Sequence, residues 1–211
     1  MSELIPAILV QDEATFHTQL NLVQDLVPVV HIDVMDGAFV PNRCWFDANV
    51  IAKLETPVRF ELHLMVKDPG RVIEEIQGIE KVIRAIWHLE ATVDHAALIM
   101  RVHELKKEAG IAINPKTPVD ALAPHAEHLN EILLMGAEPG FSGQTLEPHT
   151  IEKAWDIHGR WPQMPLGFDI NVNADTIPKL KAAGVSRFCA ASAIFGAKDP
   201  KAEIERLKGL I

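Results

Sequence analysis

His31, Asp33, His63 and Asp169 are the residues of this chain whose types and spacing point most directly to chemistry. Between Val29 and Met35, the residues His31, Asp33 and Met35 alternate with Val30, Ile32 and Val34, and a period of two sends the first set to one face of a strand. Glu61, His63 and Met65 repeat the device between Leu62, Leu64 and Val66, and Asp169 stands between Phe168 and Ile170. Two imidazoles and two carboxylates converging from strand ends suit Zn²⁺, Mn²⁺, Co²⁺ or Fe²⁺, and nothing in the set selects among them. A single strand-end His or Asp is more often a hydrogen-bonded structural residue. Four of them on three inward faces weaken that reading, because burying two carboxylates without a cation is costly.

Met35, Met65 and Met135 sit at or near strand ends as well. Methionine is ordinarily core filling, but three around one opening would make an apolar floor that keeps water from a reactive intermediate. The run from Glu138 to Gln144, with Gly140, Phe141, Ser142 and Gly143, has the glycines and turn chemistry of an anion-binding loop, a weak signal alone. Ser192 opens another expected loop. Asn171, Asn173 and Ala191 can present backbone N–H groups there, without glycine's freedom at positive φ. His88 and Glu90 share a face at the end of a further run and read as supporting or structural residues.

The elements that must position these residues recur along the whole chain. Short apolar runs span Ile5 to Val10, Val29 to Met35, Val58 to Met65, Val82 to Leu89, Gly110 to Asn114, Glu131 to Gly136, Leu166 to Ile170 and Arg187 to Ala191. Helical patterns fall between them: Glu13 to Leu26, Asp47 to Leu54, Pro69 to Gln77, Val93 to Glu108, Pro118 to Ala126, Pro148 to Gly159, Ala174 to Ala183 and Pro200 to Leu210. Repeated strand-helix units with near-continuous apolar strands predict an α/β fold, a single (β/α)₈ TIM barrel over residues 1–211, with a doubly wound open sheet as the runner-up. Barrel chemistry sits at the C-terminal strand ends, where the polar residues concentrate.

With 211 residues, 48% of them hydrophobic, the chain can bury a sizeable core. A formal net charge of −9 argues against nucleic acid as a partner. Cys44 and Cys189 are far apart and form no CxxC, so the reading is a reducing cytoplasm, without a targeting signal or membrane span. An anionic substrate must then be held by local donors rather than by the field of the whole protein.

At these residues the chain resembles the ribulose-phosphate 3-epimerase family over essentially its whole length. The matching blocks are His31 to Gly37 (HIDVMDG) with Phe39 to Asn42, Leu62 to Met65 with Asp68-Pro69, and Asn114-Pro115 with Thr117-Pro118. Further along come Leu133 to Met135, Pro139 to Gln144, Asp169 and Ser192 to Phe195. The resemblance implies a barrel of the ribulose-phosphate-binding type, acting on a small-molecule sugar phosphate and assembled as a homo-oligomer. It implies one divalent ion, commonly zinc with manganese, iron or cobalt as alternatives, held by His31, Asp33, His63 and Asp169, with Asp33 and Asp169 as the acid/base pair. His63, Gly140 to Gly143, the loop after Asp169 and the Ala191-Ser192 turn would receive the substrate. The departures cluster at that end: Asp169-Ile170-Asn171 stands for the family's Asp-Gly-Gly, Ala191-Ser192 for Gly-Ser, and Ala7 for a serine. The expected reaction interconverts D-ribulose 5-phosphate and D-xylulose 5-phosphate. The alternatives are 3-epimerisation of another ketose or ketose phosphate, and a non-catalytic barrel that keeps the metal site. The Asp-x-Lys-x-x-Asp signature of the orotidine-phosphate decarboxylase group is missing, since Met35 follows Asp33 where a lysine would stand.

Overall fold

A strand that is apolar on both faces has to be covered on both, and a sheet of such strands meets that demand by closing around its own side chains while helices coat the outside. The computed structural model describes residues 2–141 and 143–211. Its strands are β1 (Glu3–Ile8), β2 (Val29–Met35), β3 (Arg59–Met65), β4 (Val82–His88), β5 (Glu108–Ile113), β6 (Glu131–Met135), β7 (Leu166–Asp169) and β8 (Arg187–Ala190). They form a closed parallel barrel in chain order. β8 returns to β1 with Glu3 opposite Arg187 and Pro6 opposite Ala190, which excludes the open sheet.

The helices are α1 (Glu13–Val23), α2 (Ala48–Lys53), α3 (Pro69–Glu75), α4 (His95–Glu104), α5 (His149–Arg160), α6 (Ile177–Ala182), α7 (Ser192–Phe195) and α8 (Pro200–Lys208). Asp12, Asp47, Asp68, Asp94 and Asp199 cap α1, α2, α3, α4 and α8, each carboxylate accepting from a backbone N–H of the first turn. Such a cap is worth about 1 kcal/mol and lets the chain turn sharply from strand into helix.

Outward-facing Leu4, Ile8, Val30, Ile32, Leu62 and Leu64 pack under the helices, while Ile5, Ala7, Ile86, Ala112, Leu133 and Cys189 face the barrel interior. Each fully buried Leu or Ile contributes roughly 1.5–3 kcal/mol.

Four element readings need correction. The helix expected from Pro118 to Ala126 is two 3₁₀ turns, Val119–Leu122 and Ala126–His128, because Pro124 has no N–H to give and its ring would strike the preceding turn of an α-helix. α4 stops at Glu104; Lys106 takes a φ of 58°, which ends the helix, and Glu108 already belongs to β5. β1 runs from Glu3 to Ile8 rather than from Ile5 to Val10, because the N–H of Glu3 bonds the carbonyl of Ser186 and zips this end onto β8. Ser192 opens not a loop but the single-turn α7.

Candidate metal and acid-base site

β2 and β3 run in register with Asp33 opposite His63 and His31 opposite Glu61, so the alternation read in each strand becomes one patch inside the barrel. β7 brings Asp169 to the same place, and one ligand atom from each of His31, Asp33, His63 and Asp169 lies within 4.8 Å of all the others. All four residues are buried. Asp33 Oδ1 stands 2.9 Å from His63 Nδ1 and 3.3 Å from His31 Nε2, and Asp169 Oδ2 is 3.9 Å from His63 Nδ1.

Hydrogen bonding fixes what these rings present. His31 Nδ1 meets Glu61 Oε1 at 2.7 Å, so that nitrogen carries the proton given to the carboxylate. His31 Nε2 is buried without a hydrogen-bond partner, an uncommon condition for a native polar atom. An unshared lone pair among a second imidazole and two carboxylates is what a borderline divalent cation needs, so the donor set fits such an ion. Burial works against the charged Asp33 carboxylate, but the imidazoles of His31 and His63 outweigh it and hold the group well below the usual carboxylate range. Asp169 moves the other way, pushed up first by burial and then by the Asp33 charge.

Above this cluster lies a cavity open to solvent. Asp33 and Asp169 form its base with Met35, Met65 and Met135, and its walls include Gly140, Phe141, Gly143, Ile170, Asn171, Ala191 and Ser192. The three methionines line the cavity together with the two acids. Ala7 is not among the lining residues: it packs in the barrel interior opposite His31, and Leu9, two residues on, reaches the wall instead. Ser142 lies outside the described residues. Gly140 and Gly143 have φ of 121° and 75°, the left-handed region in which a Cβ is strained. Ile170 and Asn171 follow Asp169 with φ of 76° and 59°, so the backbone keeps a glycine-like path where no glycine stands. The Asn171 amide donates to the carbonyl of Gln144 at 2.9 Å and ties the two loops together.

His88 is buried behind His63, their Nε2 atoms 2.9 Å apart, with Glu90 Oε2 3.3 Å from His88 Nδ1. Sequence reading left the function of Glu61 unassigned, took Cys189 only as an unpaired thiol and did not single out Arg84. Glu61 shares the period-two face of His63, a usable signal. Arg84 shares the face of His88, yet its partners come from other strands and only register discloses them.

Fold and site together define a (β/α)₈ barrel carrying a buried 2-His, 2-Asp cluster able to hold a divalent ion at the C-terminal strand ends. The chain belongs to the ribulose-phosphate 3-epimerase family, whose model matches residues 3–195, and is thereby an enzyme of the isomerase class that acts on carbohydrates. A ribulose-phosphate 3-epimerase of Schizosaccharomyces pombe is 29% identical over 215 residues, covering 100% of this chain and 94% of its own. One from Mycobacterium leprae is 30% identical over 211 residues, covering 97% and 93%. Among solved structures, a 3-hexulose-6-phosphate synthase superposes with a TM-score of 0.71 over 99% of both chains at 16% identity, a likeness of fold alone. No helix among the described residues is long and apolar enough to cross a membrane.

Proposed function

We propose that the chain interconverts D-ribulose 5-phosphate and D-xylulose 5-phosphate by proton exchange at C3 between Asp33 and Asp169, at a site that holds one divalent ion, zinc before manganese, iron or cobalt. The observation that carries this is the convergence of two buried carboxylates, from β2 and β7, on one spot beside His63. When bound by His31, Asp33, His63 and Asp169, the ion supplies Lewis acidity to the oxygens flanking C3. One aspartate takes the C3 proton and the other returns a proton to the opposite face of the planar intermediate; two groups are needed because one base alone would restore the starting configuration. Their roles exchange in the reverse direction. Met35, Met65 and Met135 keep water from that intermediate. His63 orients the sugar, and the backbone of Gly140 to Gly143, Asn171, Ala191 and Ser192 receives its phosphate.

Ile170 and Asn171 favour a second reading of the substrate. Their left-handed backbone carries side chains into the wall where a phosphate cradle is expected, which suits another ketose or ketose phosphate under the same C3 chemistry. The assignment to a single-domain, cytoplasmic homo-oligomer rests on family membership and on the free thiols of Cys44 and Cys189.

Deuterium exchange at C3 of D-ribulose 5-phosphate in D₂O, followed by NMR, tests the reading. Chelator-sensitive exchange with D-xylulose 5-phosphate appearing is expected, and both Asp33→Asn and Asp169→Asn should abolish it while the far-UV dichroism stays unchanged. Full activity in either variant would sink the two-aspartate assignment, and no exchange by the metal-loaded protein shifts the substrate to another ketose.

A further inference from the structure

Charged groups continue down the barrel axis below the four residues of the site. Glu61 is fully buried with one carboxylate oxygen on His31 Nδ1 at 2.7 Å and the other on the Arg84 guanidinium. Arg84, its side chain 3% exposed, also meets Glu131 at 3.0 Å and Glu108 at 2.6 Å, and Glu131 accepts from Arg187 at 2.7 Å. Two local features make room for this arrangement. Between β3 and β4 the pairing shifts register, so that Phe60 faces Val82 but Glu61 faces Arg84, and the arginine comes to lie beside the carboxylate. On β7, Gly167 leaves space that a Cβ would take from the Glu131 carboxylate.

Barrel interiors are ordinarily packed with branched apolar side chains. Such a plug is commonly as stable as a buried ion-pair network or more so, because the desolvation of the charges offsets their attraction. Stability therefore supplies no reason for Glu61 and Arg84 to be there. An apolar plug lacks one thing: a fixed acceptor for a single ring nitrogen of His31. Without it the ring could carry its proton on either nitrogen, and the neighbouring Cys189 sulfur, 3.6 Å from Nδ1, is too weak an acceptor to decide between them.

We propose that Glu61 is the positioning residue of the metal site, holding His31 with its proton on Nδ1 so that Nε2 is left to ligate the ion, and that Arg84 locks the Glu61 carboxylate in place. This rests on the reading of His31, Asp33, His63 and Asp169 as a metal site. A carboxylate behind a ligating histidine fixes its tautomer and orientation and raises its basicity. Here the carboxylate is itself held by an arginine whose remaining donors are spent on other acids.

The test measures zinc affinity of the whole protein by competition with a chromophoric chelator, together with the ¹H–¹⁵N signal of His31 Nδ1 in the zinc-loaded form. Glu61→Gln should bind zinc roughly 10- to 100-fold more weakly and move the Nδ1 proton upfield from its strongly hydrogen-bonded position. Glu131→Gln, which alters the same network without touching His31, should keep zinc affinity within about twofold of the unaltered protein, as expected for a group outside the ligand-bearing contacts. Equal zinc affinity in Glu61→Gln and the unaltered chain overturns the proposal, and so does an equal loss in both variants. If Glu61→Gln does not fold, Glu61→Asp replaces it, withdrawing the acceptor by one methylene; undiminished zinc affinity there overturns the proposal too. An unaltered protein that takes up no divalent ion overturns the metal reading itself, a result distinguishable from failure of the Glu61 assignment alone.

Discussion

The imidazoles of His63 and His88 meet nitrogen to nitrogen, Nε2 to Nε2, at 2.9 Å, with their rings stacked 27° apart. Two neutral rings can share such a contact only if one donates and the other accepts. Glu90 Oε2 lies at His88 Nδ1, so His88 gives its proton to the carboxylate and accepts at Nε2. His63 then donates from Nε2, and its Nδ1, within hydrogen-bond reach of the Asp33 carboxylate at 2.9 Å, would offer its lone pair to a cation once one is bound. Glu90 is held in turn by the backbone N–H of Asn114 and the hydroxyl of Thr117, so β5 and its loop take part in setting one imidazole at the site.

Replacing His88 with phenylalanine keeps a ring of similar size and removes the acceptor. The buried His63 N–H is then unsatisfied, at a cost of about 1–3 kcal/mol, and nothing selects the His63 tautomer. Both the urea midpoint and the zinc affinity should fall in His88→Phe, whereas His88→Gln, which can offer an amide oxygen, should recover part of each. A urea midpoint and zinc affinity in His88→Phe equal to those of the unaltered protein would contradict the proton arrangement.

Glu131 gives a pH dependence whose sign can be worked out. Burial, and then the charge of Glu61 on β3, push its carboxyl up from 4.5 to about 7 against the pull of Arg84 on β4 and Arg187 on β8. Glu108 of β5 lies beyond Arg84. In the folded protein the proton is kept in a range where the unfolded chain has lost it. This stabilisation is complete below pH 4.5 and is lost as the pH rises to about 7. Glu131→Gln has no such proton to lose, so its stability relative to the unaltered protein should climb between pH 5 and pH 8. Urea unfolding across that range checks it, and a constant difference would refute it.

The alternation of His31-Asp33 and of Glu61-His63 was legible because a strand's period of two is a local property, and the near-unbroken apolar runs around it announced a barrel. What lay hidden depended on relations between strands or on backbone conformation. Arg84 reaches Glu61 only through a register shift that no single strand encodes. Ile170 adopts a φ of 76°, a conformation β-branched residues shun and sequence reading would not assign to isoleucine. The Pro118 to Ala126 pattern had helical spacing, and Pro124 overrode it.

Lys106 follows the end of α4 in the left-handed region, φ 58° and exposed, its N–H on the carbonyl of His103 at 2.9 Å and that of Lys107 on Val102 at 3.1 Å. This paired closure is where glycine is favoured, because a Cβ there is strained by roughly 1 kcal/mol. Lys106→Gly relieves that strain while adding freedom to the unfolded chain, so the net gain should be about 0.5 kcal/mol. A melting temperature raised by a degree or two is the expected readout, and a fall would show that the lysine side chain contributes more than its conformation costs.

Gly184 closes α6 with the same pair of bonds, its N–H on Lys181 at 3.1 Å and that of Val185 on Leu180 at 3.0 Å, and φ is 90°. Here the sign reverses. A Cβ at this position would come within 2.2 Å of the His158 ring on α5, so alanine adds steric overlap to the backbone strain. The strain costs about 1 kcal/mol and the overpacking a further 1–3, for roughly 2–4 kcal/mol in Gly184→Ala. Because the three nearest atoms all belong to His158, His158→Ala in the same chain should return most of the steric share and leave the conformational one. The double-mutant cycle, read from urea unfolding of the four proteins, should therefore show a favourable coupling of at least about 1 kcal/mol between these positions, and additive effects would mean that the His158 ring can swing aside at no cost.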